Sequence, residues 1–178
     1  LKPDGTRFII CSRSGDALYQ FDCSTPWATE SSTYNSVSFS VASQATQPEG
    51  VEVNSDGTKL FVSCSNTDAV YQYSLSTAWD LSTASYDNVS FSLSSQDGNP
   101  SGVKFKPDGL KMYMVGDTND TVYQYSTGTA TTLDLSTGNY FSYTPTTNTT
   151  FAFSNAPTSG TAAGFALALT GGNVAETY

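Results

Sequence analysis

One stretch of this chain is written three times. Asp56 to Tyr73, DGTKLFVSCSNTDAVYQY, has a counterpart 52 residues before it and another 52 after it. Asp4-Gly5, Asp56-Gly57 and Asp108-Gly109 keep that spacing, and so do Tyr19-Gln20-Phe21, Tyr71-Gln72-Tyr73 and Tyr123-Gln124-Tyr125. A fixed period of this length marks a repeat architecture, in which each unit buries its apolar face on its neighbours.

The second unit shows what the repeat builds. Gly50 to Val53 alternates and reads as a first strand. Ser55-Asp56-Gly57 turns the chain, because Gly accepts positive φ and Asp bonds its own backbone. Lys59 to Cys64 reads as a second strand, Asn66-Thr67-Asp68 as a turn, and Ala69 to Leu75, rich in Val and Tyr, as a third. Asn88 to Leu93 alternates Val89, Phe91 and Leu93 against Asn and Ser, the pattern of an outer strand with one wet face. The first unit repeats this with Phe8 to Cys11, Ala17 to Phe21 and Val37 to Val41. The third repeats it with Gly102 to Phe105, Lys111 to Val115 and Thr121 to Tyr125. No stretch has helical periodicity.

Four short antiparallel strands in about 50 residues make the blade of a β-propeller. The expected fold is therefore all-β, with a propeller of roughly 52-residue blades over residues 1–128, divided as 1–52, 53–104 and a partial 105–128. Along the second strands, Phe8, Ile10, Leu60, Val62, Met112 and Met114 fall on one face, and Ile9, Phe61 and Tyr113 on the other. Both faces should be covered by neighbouring blades. Closed propellers have about four to eight blades, so two and a half repeats leave the ring incomplete. The expected partners are further blades, before Leu1 or in copies of the chain. The isolated piece should self-associate or be poorly soluble, and a chain extended before Leu1 should close into a stable ring.

Between third and fourth strands runs a repeated linker, Thr25-Pro26-Trp27 and Thr77-Ala78-Trp79-Asp80-Leu81-Ser82-Thr83, with Tyr34 and Tyr86 seven residues after each Trp. The aromatics read either as packing between blades or as a sugar-stacking platform. Asp16, Asp68 and Asp120 each open a third strand and read as turn residues, with calcium or an acidic channel ring as the alternative. After Tyr125 the repeat stops. Leu133-Asp134-Leu135-Ser136-Thr137 echoes WDLST two residues out of register. Thr149 to Phe153 and Phe165 to Leu169 read as strands around an Ala/Pro/Ser/Gly turn, so residues 129–178 begin a second β-rich module.

Composition narrows the chemistry. There is no histidine, which removes Ser-His-Asp and Cys-His nucleophile systems, His-ligated zinc and the usual base near neutral pH. A formal charge of −9, with seven Lys and Arg thinly scattered, speaks against nucleic acid and against anionic membrane surfaces. No apolar run is long enough for membrane insertion. Cys11, Cys23 and Cys64 do not recur at equivalent positions and read as buried thiols, with a disulfide or reactive thiol as the alternative.

The motifs PDG-x-KMYMVG, D-x-VYQYSL and AWDLSTASY resemble propeller repeats of tailed bacteriophages and environmental bacteria, of lactonase-like or NHL-like type. The tail, LDLSTGNYFSYTPTTNTTFAFSNAPTSGTAAGFALALTGG, is similar to a β-rich segment of bacteriophage tail-fibre and other virion proteins. Together they imply a non-enzymatic, receptor-binding virion appendage, extracellular or on the virion. Its partners would be virion structural proteins and host-surface carbohydrate, with no cofactor. A secreted bacterial adhesin is the alternative. A metal-dependent lactonase is the third reading; Glu49, at the start of a first strand, is then the best-placed carboxylate, although its repeat equivalent is Ser101. Under the appendage reading no lactone hydrolysis is expected. Recognition sits on loops that vary without unfolding a scaffold, which leaves Asn66, Asp68, Asp97, Asn99, Asp117, Asn119 and Asp120 as candidate binding residues.

Overall fold

The computed structural model describes residues 1–144, 149–155 and 164–170. It is all-β, apart from two 3₁₀ turns at Thr29–Ser31 and Leu81–Thr83. Two compact units emerge, one of residues 1–107 and 112–125, the other of residues 108–111 and 126–178.

The first unit contains three antiparallel sheets, one per repeat. The first joins β1 (Arg7–Ser12), β2 (Ala17–Cys23) and β3 (Ser32–Ser40) in that order. The middle sheet runs β4 (Pro48–Val53), β5 (Lys59–Cys64), β6 (Ala69–Leu75), β7 (Ala84–Ser92), a four-stranded meander as the repeat predicts. The third joins β8 (Pro100–Phe105), β9 (Lys111–Gly116) and β10 (Thr121–Ser126). Four strands per repeat therefore holds for the middle sheet; the outer two have three each among the described residues. The outer strands start earlier than expected, at Ser32 and Ala84. The added residues lie before a bulge, where the register shifts between Gln20 and Phe21 and again between Gln72 and Tyr73. Ser36 and Asn88 hold positive φ at those bulges.

Two apolar seams hold the sheets together. In the first, Ile9, Leu18 and Val41 meet Leu60, Val62, Tyr73 and Leu75. In the second, Val70 and Leu93 meet Val103, Met112 and Met114, with the tilted rings of Phe61 and Phe105 beside them, their centroids 4.1 Å apart. Fully burying one such side chain contributes about 2 kcal/mol, so these seams dominate over the surface ion pairs. The predicted alternation holds: Leu60 and Val62 face the first sheet, and Phe61 faces the third. The expectation that both faces are covered holds only for the middle sheet. On the first sheet Ile10 is exposed while Ile9 is buried, and on the third Val115 and Val122 are exposed. Within the first unit, no other sheet packs on those two faces.

The turns explain why the repeated residues recur. Gly5, Gly57 and Gly109 all have positive φ. Above Gly57 lies Trp79; a Cβ added there would stand 2.1 Å from the indole Cδ1, and the Trp79 N–H donates to the Gly57 carbonyl at 2.9 Å. Trp27 covers Gly5 in the same way. Each Trp thus packs first on the turn of its own unit. Asp16, Asp68 and Asp120 have φ of 47°, 48° and 49° and end the hairpin turns, a left-handed position that Asp tolerates. Turn chemistry accounts for their recurrence.

The second unit contains β11 (Thr129–Asp134), β12 (Tyr140–Tyr143), β13 (Thr149–Ser154) and β14 (Ala166–Leu169). Both expected tail strands form, but they do not pair with each other: β11 pairs β13 and β12 pairs β14, both in parallel. The turn expected between them lies outside the described residues. The out-of-register echo of WDLST folds as its original does. Asp80 Oδ1 accepts from the Ser82 N–H and hydroxyl, and Asp134 Oδ1 accepts identically from Ser136. Thr83 and Thr137 each donate a hydroxyl back to the aspartate carbonyl.

Candidate functional site

The turns after β1, β5 and β9, and the loops leading into β4 and β8, sit at one end of the sheets. All the loop candidates lie there. In the third repeat four of them converge. Buried Asp97 accepts from the backbone N–H groups of Asn99, Thr118 and Asn119 at 2.9, 3.2 and 2.9 Å. Asn99 Nδ2 donates to Asp117 Oδ2 at 2.9 Å, and Asn119 Nδ2 donates to the Gln96 carbonyl at 2.8 Å. Burial pushes the Asp97 pKa up, and the three N–H bonds outweigh it, so the carboxyl sits below its ordinary value. These bonds tie one loop to the next turn. Asp97, Asn99 and Asn119 hold this loop, and Asp120 is the turn's left-handed residue.

In the second repeat, Asn66 accepts from the Cys64 thiol and donates to Thr46 Oγ1, each at 2.6 Å. Asp68 accepts the Leu93 N–H through its carbonyl. Neither joins the Asp97 network. Both hold the loop.

A different set of side chains forms the most reactive-looking cluster, and it bridges two sheets. Arg13, in the turn after β1, places Nη1 3.0 Å from Glu49 Oε1 and donates from Nη2 to Gln47 Oε1 at 3.0 Å. Ser65 Oγ, in the turn after β5, donates to the same Glu49 oxygen at 2.8 Å and reaches Gln47 Oε1 at 3.3 Å. Glu49 lies on β4, the edge strand of the middle sheet, and is mostly covered, whereas Arg13 is largely exposed. The cluster therefore presents one guanidinium to solvent over a fixed carboxylate. Cys11 lies nearby, with its thiol pushed up by burial and by the charge of Glu49, which keeps it protonated and a poor nucleophile. Glu49 was legible as a candidate from its place on a first strand. Arg13, Gln47 and Ser65 were not, because they come together from separate turns and from two different sheets. The available signal was the broken period: Arg13 aligns with Ser65 and Asp117, and Glu49 with Ser101.

Among the described residues, no group of three or more His, Cys, Asp or Glu side chains could hold a metal ion. No helix among them is long and apolar enough to cross a membrane.

No protein-family model matches the chain, and no curated protein does. Solved structures do match. A Bacteroides fragilis protein described as a "putative 6-phosphogluconolactonase" matches at TM-score 0.52 and 13% identity, over 69% of this chain and 32% of that one. Hydrazine synthase of Kuenenia stuttgartiensis matches at TM-score 0.50 and 22% identity, over 71% of this chain and 31% of that one. The chain spans about a third of the length of each. At these identities the likeness establishes the fold alone. The expectation of a non-enzymatic virion appendage is corrected here: these matched structures carry enzyme names, and no comparison supports a tail-fibre resemblance, host attachment or the non-enzymatic assignment. The physical reason lies in which segment supplied the clue. The tail-fibre resemblance rested on residues after 129, whereas the match covers about as much of the chain as the repeats do.

Proposed function

We propose that the three sheets are consecutive blades of a β-propeller, and that the chain forms part of a lactonase-type hydrolase acting on a sugar-acid lactone. The propeller reading is supported by a taper between the sheets. At their first strands, Gly50 of β4 meets Gly102 of β8 so closely that a Cβ on Gly50 would stand 3.1 Å from the Gly102 Cα. A few residues on, Lys104 and Glu52 form an ion pair between the same strands. Farther out, the gap is filled by Phe61, Phe105, Met112 and Met114. Sheets that converge at one edge and diverge at the other stack around an axis. That places β4 and β8 innermost, where propeller enzymes bind ligands at the channel.

The observation that carries the activity is the Arg13–Glu49–Gln47–Ser65 cluster at the loop end of that inner edge. Arg13 and Ser65 fix Glu49 Oε1 and thereby the aim of Oε2. In lactone hydrolysis a water adds to the ester carbonyl, the ring C–O bond breaks, and the ring oxygen takes a proton as a carboxylate forms. Glu49 Oε2 is the group that removes the water proton and passes it to the leaving ring oxygen. Arg13 offers its exposed N–H groups to an anionic substituent such as a phosphate. The name of the matched Bacteroides fragilis structure supports the same substrate class.

The test compares 6-phosphogluconolactone with unphosphorylated gluconolactone in a pH-stat, against the spontaneous rate. Catalysed hydrolysis is expected, reduced roughly a hundredfold in Glu49→Gln. Arg13→Ala should raise KM for the phosphorylated lactone alone. A rate equal to the blank, or one unchanged by Glu49→Gln, rejects the reading.

A further inference from the structure

One repeat position changes its charge from sheet to sheet. In the turns after β1, β5 and β9 it reads Arg13, Ser65 and Asp117, each 52 residues from the last. All three belong to the first unit. Their partners change with them. Arg13 and Ser65 both bond Gln47 and Glu49, whereas the equivalent positions 52 residues on hold Asn99 and Ser101. There Asn99 Nδ2 donates to Asp117 Oδ2 at 2.9 Å, and the Asp117 N–H donates to the Asn99 carbonyl at 3.0 Å. The loop end of the unit thus runs from a cation, through a neutral hydroxyl, to an anion.

The inner strands set these two groups side by side. Glu49 and Ser101 are the extra residues of two β-bulges: the ladder passes from Pro48 to Gly50 on β4, and from Pro100 to Gly102 on β8, without pairing either. A bulge bends its strand and re-aims the side chain it carries. The close approach of Gly50 to Gly102 places the two bulges next to each other, and a Cβ on Gly102 would meet nothing within 4 Å. The ground beside Ser101 is therefore open. Asp117 is exposed, and among the described residues nothing donates to Asp117 Oδ1 or to Asn99 Oδ1. The hydrogen bond between the two side chains fixes this pair of acceptors. Such a pair takes hydroxyl donors, and its carboxylate repels anions.

We propose that the Asn99–Asp117 pair is the subsite for the ring hydroxyls of the sugar-acid lactone, and that it fixes the direction in which the lactone lies. This rests on the reading of Glu49 and Arg13 given above. Two neighbouring hydroxyls donate to Asp117 Oδ1 and Asn99 Oδ1, and the second hydrogen on Asn99 Nδ2 is offered to a hydroxyl oxygen. In a phosphorylated δ-lactone the carbonyl and the phosphate-bearing carbon flank the ring oxygen, and the hydroxyls occupy the opposite rim. That order matches the chain's own: Arg13 for the phosphate, Glu49 at the carbonyl, Asp117 for the hydroxyls. The reversed lactone would set its phosphate against the Asp117 carboxylate. A site built to hydrogen-bond hydroxyls also rejects an analogue that lacks them, because its polar groups are then left unpaired.

The test compares 6-phosphogluconolactone with the same phosphorylated δ-lactone lacking its ring hydroxyls, in the parent, Asp117→Ala and Asp117→Asn. Binding of gluconate, with hexanoate as the hydroxyl-free control, is titrated in parallel by saturation-transfer NMR, which needs no turnover. The parent should favour the hydroxylated lactone in kcat/KM by roughly tenfold or more. Asp117→Ala should remove most of that preference, leave the hydroxyl-free lactone unchanged and weaken gluconate by a similar factor. Asp117→Asn keeps an acceptor oxygen and should retain part of the preference. Both variants should keep the parent's far-ultraviolet circular dichroism, since the side chain is exposed. Glu49-dependent hydrolysis whose preference is untouched by Asp117→Ala, or falls equally for both lactones, overturns the subsite and leaves the lactonase reading standing. No hydrolysis, with gluconate binding that weakens in Asp117→Ala, rejects the lactonase reading and keeps the hydroxyl subsite. Neither hydrolysis nor Asp117-dependent gluconate binding overturns both.

Discussion

At the residue scale, the repeats accommodate different side chains at one buried place by exchanging volume. Beside the middle sheet buried Ala45 goes with buried Cys64; at the equivalent positions 52 residues on, beside the third sheet, Asp97 goes with Gly116. A Cβ on Gly116 would lie 2.3 Å from Asp97 Oδ2, so the carboxylate occupies the space that the cysteine side chain fills elsewhere. Gly116→Cys alone should clash and Asp97→Ala alone should leave three N–H groups unpaired, each lowering Tm by several degrees. The double variant restores the Ala/Cys pair and should recover much of the loss. Additive losses would show that the two sites do not share one space. The pH dependence has a definite sign. Asp97 has its pKa lowered on folding, so its stabilisation is full above the unfolded carboxyl value of about 3.9 and is lost as pH falls through the folded value. The stability gap between Asp97→Asn and the parent should therefore narrow below about pH 4.

At the element scale, the Asp-Gly turns and the Trp linker form one device. Gly57 has φ of 80° with Trp79 packed over it, whereas Gly109 has φ of 70° with nothing within 4 Å. Alanine at Gly109 should cost only the backbone term, about 1 kcal/mol. Alanine at Gly57 should cost about twice that or more, because the indole must move as well. Urea titrations with Trp fluorescence separate the two; equal costs would mean the Trp does not seat on the turn. The strands themselves were legible in the sequence, because Asp-Gly and the Tyr-Gln-aromatic triplet are local signals repeated three times. The bulges at Ser36 and Asn88 were not, since either residue is ordinary in an outer strand and only the paired register shows the extra residue. The parallel pairing in the tail escaped as well, because alternation in β13 and β14 names a strand but not its partner. Glu49 was visible as an isolated acid. Its cluster was not, because Arg13 reaches it from the neighbouring sheet, across 36 residues of sequence.

At the scale of the molecule, the middle sheet of the first unit has a seam on each face, while its neighbours in that unit share one seam each with it. Val62 and Ile10 occupy the same repeat position, one in a seam and one on the uncovered leading face. In dilute solution Val62→Ala should cost about 1–3 kcal/mol, from lost burial plus the cavity left behind. Ile10→Ala should cost under about 1 kcal/mol, since an exposed side chain loses little on truncation. Denaturant midpoints at a constant m-value provide the comparison. Hydrogen exchange should place the slowest amides in β5 and β6, at the centre of the middle sheet, with β1 and β10 faster. An Ile10→Ala cost that matches Val62→Ala in dilute solution would mean the first sheet is already covered within one chain. Uniform exchange across the three sheets would deny the middle one its special place.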